Sequence, residues 1–376
     1  MNILVISRNY PYKQSNAYIF VKQLVDQFVV NDHNVTVVSP QSLTKLWFRN
    51  VLTRPYKAFQ KVDNQSYSVY SPAYLSFSNL PLTRKLSNYL FNRAVIKTKN
   101  RLSEDFDIVY AHFINQPGVA AYKLYEKSLT PYFIALGEST FDFKIDKKIL
   151  GAIANAKGFV AVSNEIKTRL LKIYSSIKDD RILIAPNGVN RTWFYKKDVK
   201  DLKNRLGIRN EDFTVVFVGA FINRKGPLRL NQALKNLNKS NIKAIFIGQG
   251  PENPDYQNIV FKGIVMHEQI NDFLNTADVF VLPTLHEGSC NAIIEAMAAG
   301  LPIISSDKAF NDDILEETYS LRFDTSSVSL LQNAIMRLYN DRILLKTMSE
   351  NAYEKAKEFD LSQRSKKILD YLSSKR

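Results

Sequence analysis

The sequence contains few residues of the kinds that form disulfides or metal clusters. Cys290 is the one cysteine among 376 residues, which excludes an internal disulfide and favours a reducing compartment. The four histidines are well separated, so they offer no Cys/His cluster, and we expect no metal site. No run of apolar residues is long enough to cross a bilayer. The opening MNILVISRNYPY lacks the layout of a signal peptide and predicts a first strand. These absences favour a cytoplasmic protein.

Acidic residues are scarce in the first half of the chain. The net charge is +15, and residues 41–101 carry eleven basic residues against one acidic residue, Asp63. Large rings are interleaved there, at Trp47, Phe48, Tyr56, Phe59, Tyr74, Phe77, Tyr89 and Phe91. Basic and aromatic surface suits anionic lipid headgroups. We therefore expect residues 41–101 to bind an anionic membrane surface, with no nucleic-acid partner. The alternative is a solvated basic face over a core that uses the rings.

Short apolar runs alternate with helical patterns along most of the chain. Strands are predicted over residues 3–7, 34–39, 108–111, 132–136, 159–162, 182–185, 214–218, 243–247, 259–261, 279–282 and 303–305. Such alternation is typical of parallel sheets covered on both faces by helices. We predict an α/β protein of two doubly wound, Rossmann-like domains, residues 1–192 and 193–359. A closing helix over residues 360–376, with Ser362 as candidate N-cap, is expected to pack on the first domain.

Three loops of the second half follow predicted strands and have unusual content. Residues 219–226 place Arg224 and Lys225 between glycines, residues 248–251 read GQGP, and residues 286–291 lead into an Ala-rich helix. Ligands of open parallel sheets bind beyond the carboxyl ends of the strands. A helix N-terminus there offers unpaired N–H groups to an anion. These loops are expected to share one edge of the sheet, which we call the rim. Two cations, glycine backbone that a ligand can approach and a helix N-terminus on this rim predict a diphosphate site.

Two glutamates flank that helix start. Glu287 lies in the loop, and Glu295 follows eight positions later on nearly the same face. A site whose N–H groups bind phosphate and whose carboxylates bind hydroxyls suits a sugar nucleotide. The alternative is an ordinary strand-loop-helix connection with two solvated glutamates. No loop matches G-x-G-x-x-G after a strand or the P-loop pattern, which disfavours hydride transfer and ATP hydrolysis.

Several stretches together resemble glycosyltransferase family 4. They are IVYAHF, GFVAVSNEIKTRL, ILIAPNGVN, VVFVGAFINRKG, FIGQGP, ADVFVLPT and EGSCNAIIEAMAAGLPIISSD. The resemblance runs from the first strand to the closing helix. It implies the GT-B fold, in which two Rossmann-like domains face each other across a cleft. It also implies a retaining, metal-independent enzyme without a cofactor, acting on a nucleoside-diphosphate sugar. The acceptor would be a glycan or lipid-linked hydroxyl in bacterial polysaccharide or glycolipid assembly.

The resemblance also implies roles for individual residues. Lys225 would bind the donor diphosphate, Glu287 would contact the transferred sugar, and Glu295 would hold the ribose hydroxyls. Other donor contacts would come from the loop backbones, at Gly219, Gly250, Gly288, Ser289, Cys290 and Asn291. The side chain of Cys290 itself is expected to pack.

The chain departs from the family pattern at three places. Many relatives have an arginine where Ala220 stands, and Arg224 is the candidate replacement. Many have two glycines in the loop after the first strand, where the backbone approaches the donor phosphate. This chain has small residues there instead, and Asn16 is the candidate donor contact.

The third departure concerns the first domain. Leu136 stands where many relatives have a catalytic histidine, so Glu138 or Ser139 is the candidate polar helper. The alternative for Glu138 is an ordinary loop carboxylate. His112, at the end of a predicted strand, is a candidate for binding donor or acceptor, or else a packed residue.

Two other functions stay open. A sugar-nucleotide epimerase can share this fold. A degenerate transferase that binds a glycan or lipid without catalysis would explain the departures, although Lys225, Glu287 and Glu295 argue against it. The donor is expected to be UDP-linked or GDP-linked.

Overall fold

The chain forms two units, each built around its own parallel sheet. The computed structural model describes residues 1–12, 18–44, 54–77, 81–137 and 146–376. Unit 1 comprises residues 1–185 and 365–376, and unit 2 comprises residues 186–364. Both units alternate strands with helices, which confirms the predicted α/β class.

The main sheet of unit 1 has the strand order β10-β9-β8-β7-β1-β2-β5-β4. All its neighbouring strands run parallel except β4 and β5, which are antiparallel. A separate parallel pair joins β3 to β6. The strands are β1 (Asn2–Ser7), β2 (Asn34–Val38), β3 (Gln41–Ser42), β4 (Lys57–Val62), β5 (Gln65–Tyr70), β6 (Ala73–Tyr74), β7 (Ile108–His112), β8 (Tyr132–Leu136), β9 (Gly158–Ala161) and β10 (Ile182–Ile184).

Helices cover this sheet because the central strands are apolar on both faces. Every residue of β7, β8 and β9 is buried, as expected for a parallel sheet between helical layers. The helices are α1 (Ile19–Val30), α2 (Pro81–Lys99), α3 (Val119–Ser128), α4 (Lys147–Asn155) and α5 (Asn164–Ile173), with an irregular turn at Ile114–Gly118 and a 3-10 turn at Asp179–Arg181.

Unit 2 has a parallel sheet with the strand order β13-β12-β11-β14-β15-β16. Its strands are β11 (Phe213–Val218), β12 (Ile242–Ile247), β13 (Ile259–Gly263), β14 (Val279–Leu282), β15 (Ile303–Ser306) and β16 (Ser320–Phe323). Its helices are α6 (Lys200–Arg205), α7 (Pro227–Leu237), α8 (His267–Asn275), α9 (Asn291–Ala298), α10 (Val328–Asn340) and α11 (Arg342–Lys355), with 3-10 turns at Ala309–Asn311 and Ala356–Phe359. The order places β11 between β12 and β14, so the loops after these three strands share one edge.

The closing helix α12 (Leu361–Lys375) belongs mostly to unit 1. Ile368, Leu369 and Leu372 are buried in the apolar core of that unit, and Tyr371 Oη donates to the carbonyl of Arg181 over 2.7 Å. The helix begins at Leu361, two residues before the start that an N-cap at Ser362 would give. Asp360, rather than Ser362, therefore occupies the capping position, and its Oδ1 accepts from the Ser362 N–H at 2.8 Å.

Candidate functional site

Backbone hydrogen bonds tie together the three loops of unit 2 that carry the predicted donor residues. The Phe221 N–H donates to the carbonyl of Gln249 over 2.8 Å, which joins the loop after β11 to the loop after β12. The Leu285 N–H donates to the carbonyl of Arg224 over 2.8 Å, which joins it to the loop after β14. The loops therefore form one connected rim at the carboxyl ends of three neighbouring strands, the usual ligand position in this kind of sheet.

Two glycines allow the first of these junctions. Gly248 and Gly250 have φ of +148° and +155°, a region that residues with side chains rarely adopt. A Cβ on Gly248 would lie 1.9 Å from the carbonyl oxygen of Gly219, and one on Gly250 would lie 2.3 Å from that of Phe221. The space at these glycines is therefore occupied by the neighbouring loop backbone. Donor contact at Gly250 stays a prediction.

Glu287 lies at the centre of a buried polar cluster. Its Oε1 is 2.6 Å from Lys225 Nζ and 3.2 Å from Arg224 Nη1, and it accepts from Thr284 Oγ1 at 2.8 Å. The Glu287 residue is only 8% exposed, and an ionised carboxylate at such a site requires partners of this kind. The structure thus brings together two predicted cations and one predicted carboxylate, and it adds Thr284, which the sequence did not single out.

Each cation in this cluster has a further contact. Arg224 Nη1 also donates to the carbonyl of His286 over 2.6 Å, which holds the guanidinium against the loop after β14. A Cβ placed on Gly219 would lie 3.6 Å from Lys225 Cδ. This is an ordinary van der Waals separation, so the lysine stem passes directly beside Gly219.

The end of the loop before α9 and the first residue of that helix present unpaired backbone donors. The N–H groups of Ser289, Cys290 and Asn291 donate to no other residue in the described part of the chain. Burial raises the pKa of the Cys290 thiol to about 11, so the thiol stays neutral at physiological pH. The Cys290 side chain packs in the apolar core of unit 2, and the residue offers an anion only its backbone.

Glu295 lies one to two turns farther along α9, and its partner is His267 at the start of α8. His267 Nε2 is 3.3 Å from Glu295 Oε1. The imidazole is 8% exposed and packs edge-on against the rings of Trp193 and Phe194. Burial alone would lower the pKa of His267, but its hydrogen bond to Glu295, together with the charges of Glu295 and Glu268, raises that pKa above the ordinary value.

The comparisons with known proteins bear on what this rim does. The model "Glycosyltransferase Family 4" matches residues 19–193, and "Glycosyl transferases group 1" matches residues 198–355. The chain belongs to these glycosyltransferases. The resemblance found in the sequence is therefore confirmed.

Some relatives match over nearly their whole length. The putative teichuronic acid biosynthesis glycosyltransferase TuaC of Bacillus subtilis is 26% identical over 98% of this chain and 97% of its own. Sucrose-phosphate synthase from Thermosynechococcus elongatus has a TM-score of 0.80 at 17% identity, covering 99% and 98% of the two chains. Anabaena HepE in complex with UDP-glucose has a TM-score of 0.72 at 18% identity over the full length of both chains. These structures share the GT-B fold with this glycosyltransferase.

The structure describes only some of the candidate site residues that the sequence predicted in unit 1. His112 ends β7, and its buried ring packs among Phe20, Tyr110 and Phe113, with centroid separations of 5.5, 6.2 and 4.8 Å. Leu136 ends β8 and is fully buried. Asn16, Glu138 and Ser139 lie outside the described residues. Their roles, and that of His112, stay predictions.

Asn187 is a residue whose role the sequence did not reveal. Its Nδ2 donates to the Ser289 carbonyl at 3.0 Å and to Asn291 Oδ1 at 2.7 Å. The Asn187 N–H also donates to Ser289 Oγ over 3.1 Å. These three bonds fix the loop before α9 with its N–H groups in place. The PNGV motif was visible in the sequence, but its contact partner, about a hundred positions away, was not.

The pair of His267 and Glu295 leads to a pH prediction. Because the folded pKa of His267 is raised, the pair stabilises the fold fully below the unfolded value of about 6.5. That stabilisation is lost as pH rises through the folded pKa. We expect His267→Gln to lower the free energy of unfolding more at pH 6 than at pH 9, as measured by urea denaturation. A difference that does not change with pH would contradict this reading of the pair.

Proposed function

We propose that this glycosyltransferase moves a sugar from a nucleoside-diphosphate sugar to an acceptor hydroxyl with retention of configuration, in the assembly of a polysaccharide or glycolipid. The observation that carries the proposal is the position of Lys225, 2.6 Å from Glu287 on the rim that also presents the N–H groups of α9. A cation and a helix N-terminus together suit a diphosphate, and two carboxylates beside them suit sugar and ribose hydroxyls.

The reaction follows from these groups. The bond between the anomeric carbon and the diphosphate oxygen breaks, and the diphosphate leaves with the electron pair. The acceptor oxygen bonds to the same face of that carbon, and its proton passes to the departing phosphate. Lys225 and the N–H groups of Ser289, Cys290 and Asn291 stabilise the charge that develops on the leaving group. In this proposal they replace a divalent ion.

Glu287 positions the lysine as well as the sugar. All three contacts of the Glu287 carboxylate, with Arg224, Lys225 and Thr284, are made by Oε1, and none of these three involves Oε2. We assign Oε2 to a hydroxyl of the transferred sugar and Glu295 to the ribose. Asn187 then acts as a positioning residue through the loop it holds.

The relatives support the general kinds of donor and acceptor. The HepE structure contains UDP-glucose. A relative from Escherichia coli, 30% identical over half of this chain, is named a UDP-Gal:alpha-D-GlcNAc-diphosphoundecaprenol galactosyltransferase. We therefore propose a UDP-linked or GDP-linked donor and a glycan or lipid-linked acceptor.

The test is a screen of UDP, GDP and ADP sugars, each with and without candidate acceptors, read by release of the nucleoside diphosphate and by product mass. Transfer of the sugar with retained configuration supports the proposal. Conversion of the donor to an isomer without acceptor would indicate an epimerase instead. Failure of every donor to bind would indicate a module without catalysis.

The membrane part of the proposal rests on unit 1. Within its described residues, α2 carries five basic residues and no acidic one. Several large apolar residues of the 41–101 segment are exposed. They include Phe59 (65%), Tyr89 (54%), Leu86 (45%), Tyr56 (43%) and Phe77 (43%). Trp47 and Phe48 lie outside the described residues. No described helix is long and apolar enough to cross a bilayer. We propose that residues 41–101 bind an anionic membrane surface peripherally at the inner face of the cell membrane.

We expect the full-length protein to sediment with vesicles containing about a third anionic lipid and to be released as salt is raised, because exposed charges are screened. The double variant Arg93→Gln/Lys97→Gln on α2 should weaken this binding by ~30-fold, at ~1 kcal/mol per basic residue. Lys127→Gln/Lys172→Gln, which removes the same charge elsewhere in unit 1, should leave it unchanged. Equal binding to neutral vesicles would contradict the proposal.

A further inference from the structure

The Glu295 carboxylate on α9 is oriented by one side chain. Among the residues that the structure describes, His267 is the side-chain partner of Glu295, with Nε2 at 3.3 Å from Oε1. Because an ionised carboxylate only accepts hydrogen bonds, Nε2 of His267 is the donor. The Glu295 side chain keeps 13% of its surface exposed, so a ligand can reach it. The direction in which this carboxylate points therefore depends on His267.

The imidazole of His267 is itself held in place by packing. It is buried at the start of α8, and the rings of Trp193 and Phe194 lie edge-on to it at centroid separations of 5.6 and 5.3 Å. The segment that carries both rings is tied to the same helix, because Nδ2 of the buried Asn271 donates to the Tyr195 carbonyl over 3.1 Å. The ring that contacts Glu295 is therefore fixed by α8 and by the segment packed on it.

This arrangement has a consequence for ligand binding. A binding group is held most precisely when its partner is locked by packing and by hydrogen bonds. A carboxylate that lost its one protein donor would turn towards water, because a poorly solvated charge without a partner is costly. Glu295 would then have to be reoriented each time a ligand hydroxyl bound, and ordering a side chain on binding lowers affinity.

We propose that His267 is a positioning residue for the donor. It holds Oε1 of Glu295 and thereby directs Oε2 to a ribose hydroxyl, so that it sets the affinity for the nucleotide through the ribose alone. The inference rests on the proposed function, because it takes Glu295 as the ribose contact. It adds a residue that does not touch the donor and that acts on binding separately from its contribution to the stability of the fold.

The test is isothermal titration of the full-length protein with UDP and with 2′,3′-dideoxyuridine 5′-diphosphate, which lacks the ribose hydroxyls. The same pair of guanosine compounds covers a GDP-linked donor. The unchanged protein should prefer the ribose compound by about tenfold or more, since a site built to bind a hydroxyl rejects the analogue without it. His267→Phe keeps a buried ring but cannot donate. It should weaken the ribose compound by about tenfold and leave the dideoxy compound unchanged.

Two variants serve as rescue and control. His267→Gln carries an amide N–H that can donate to Glu295, and it should recover most of the affinity that His267→Phe loses. His33→Phe makes the same substitution in unit 1, where the histidine contacts the N-terminal amine, and it should bind all compounds as the unchanged protein does. In the transfer assay His267→Phe should raise the KM for the donor with kcat unchanged.

A double variant tests whether His267 acts through Glu295. Glu295→Ala/His267→Phe should bind the ribose compound no more weakly than Glu295→Ala alone, because residues in one chain of contacts are not additive. An additive loss would overturn the proposal. So would an equal loss of the ribose and dideoxy compounds in His267→Phe, which would indicate general damage to the site.

Failure of this inference differs from failure of the proposed function. If Glu295→Ala weakened the ribose compound and His267→Phe did not, the ribose contact would stand and His267 would have no part in it. If neither UDP nor GDP bound the unchanged protein, the proposed function would be contradicted and this inference with it. Unchanged binding of the dideoxy compound by His267→Phe also shows that the variant is folded at the donor site.

Discussion

Lys225→Ala is expected to lower kcat for sugar transfer by about 100- to 1,000-fold, the usual effect of removing one preorganised group that stabilises a leaving oxyanion. The physical reason is that Lys225 is the most buried cation on the rim, with a side chain 15% exposed, so water cannot replace it efficiently. The measurement is steady-state release of the nucleoside diphosphate in the presence of acceptor. Because the charge on the leaving group develops during the reaction, the loss should fall mainly on kcat rather than on KM.

The control for this prediction addresses folding. Removing Lys225 leaves the Glu287 carboxylate with Arg224 and Thr284 as partners, so some loss of stability is expected. Circular dichroism and the melting temperature should show that the variant is folded at the assay temperature. Lys235→Ala is a matched variant, because Lys235 lies on α7 in a surface ion pair with Asp255. It should retain full activity. If the Lys225→Ala variant transferred sugar at the rate of the unchanged protein, that result would contradict the proposed diphosphate site.

Glu295→Ala is expected to lower kcat/KM for the donor by about 10- to 100-fold, in line with ~1.5–3 kcal/mol for hydrogen bonds to a charged group. The ribose does not change during the reaction, so a hydrogen bond from ribose to Glu295 stabilises the ground state and the transition state equally. Loss of this hydrogen bond should therefore raise the KM for the donor. The measurement is a donor titration at saturating acceptor. The substitution also leaves the buried imidazole of His267 without its carboxylate partner.

The matched variant for this second prediction is Glu268→Ala. Glu268 is exposed at the start of α8, next to His267. The Glu268→Ala substitution should therefore leave the KM for the donor unchanged. A fall in kcat with an unchanged donor KM in Glu295→Ala would contradict the assignment of Glu295 to the ribose.

The sequence predicts local structure well where one segment determines it. The apolar runs of β11, β12 and β14 predict buried parallel strands, and the glycines and the helix start after them predict a rim. Period and composition are properties of a short stretch, so they can be read without knowing the fold. The family motifs added predicted roles for Lys225, Glu287 and Glu295.

Contacts between distant segments could not be predicted in the same way. Asn187 and Ser289 are separated by 102 positions, and His267 and Glu295 by 28. Nothing in a single sequence indicates which carboxylate an isolated histidine will meet.

The central claim is that a diphosphate binds at the start of α9 with Lys225 as its cation, and a crystal structure with a bound nucleoside diphosphate tests it most directly. The account predicts phosphate oxygens within about 3 Å of the N–H groups of Ser289, Cys290 or Asn291 and of Lys225 Nζ. A diphosphate bound elsewhere, with Lys225 still in contact only with Glu287, would contradict it.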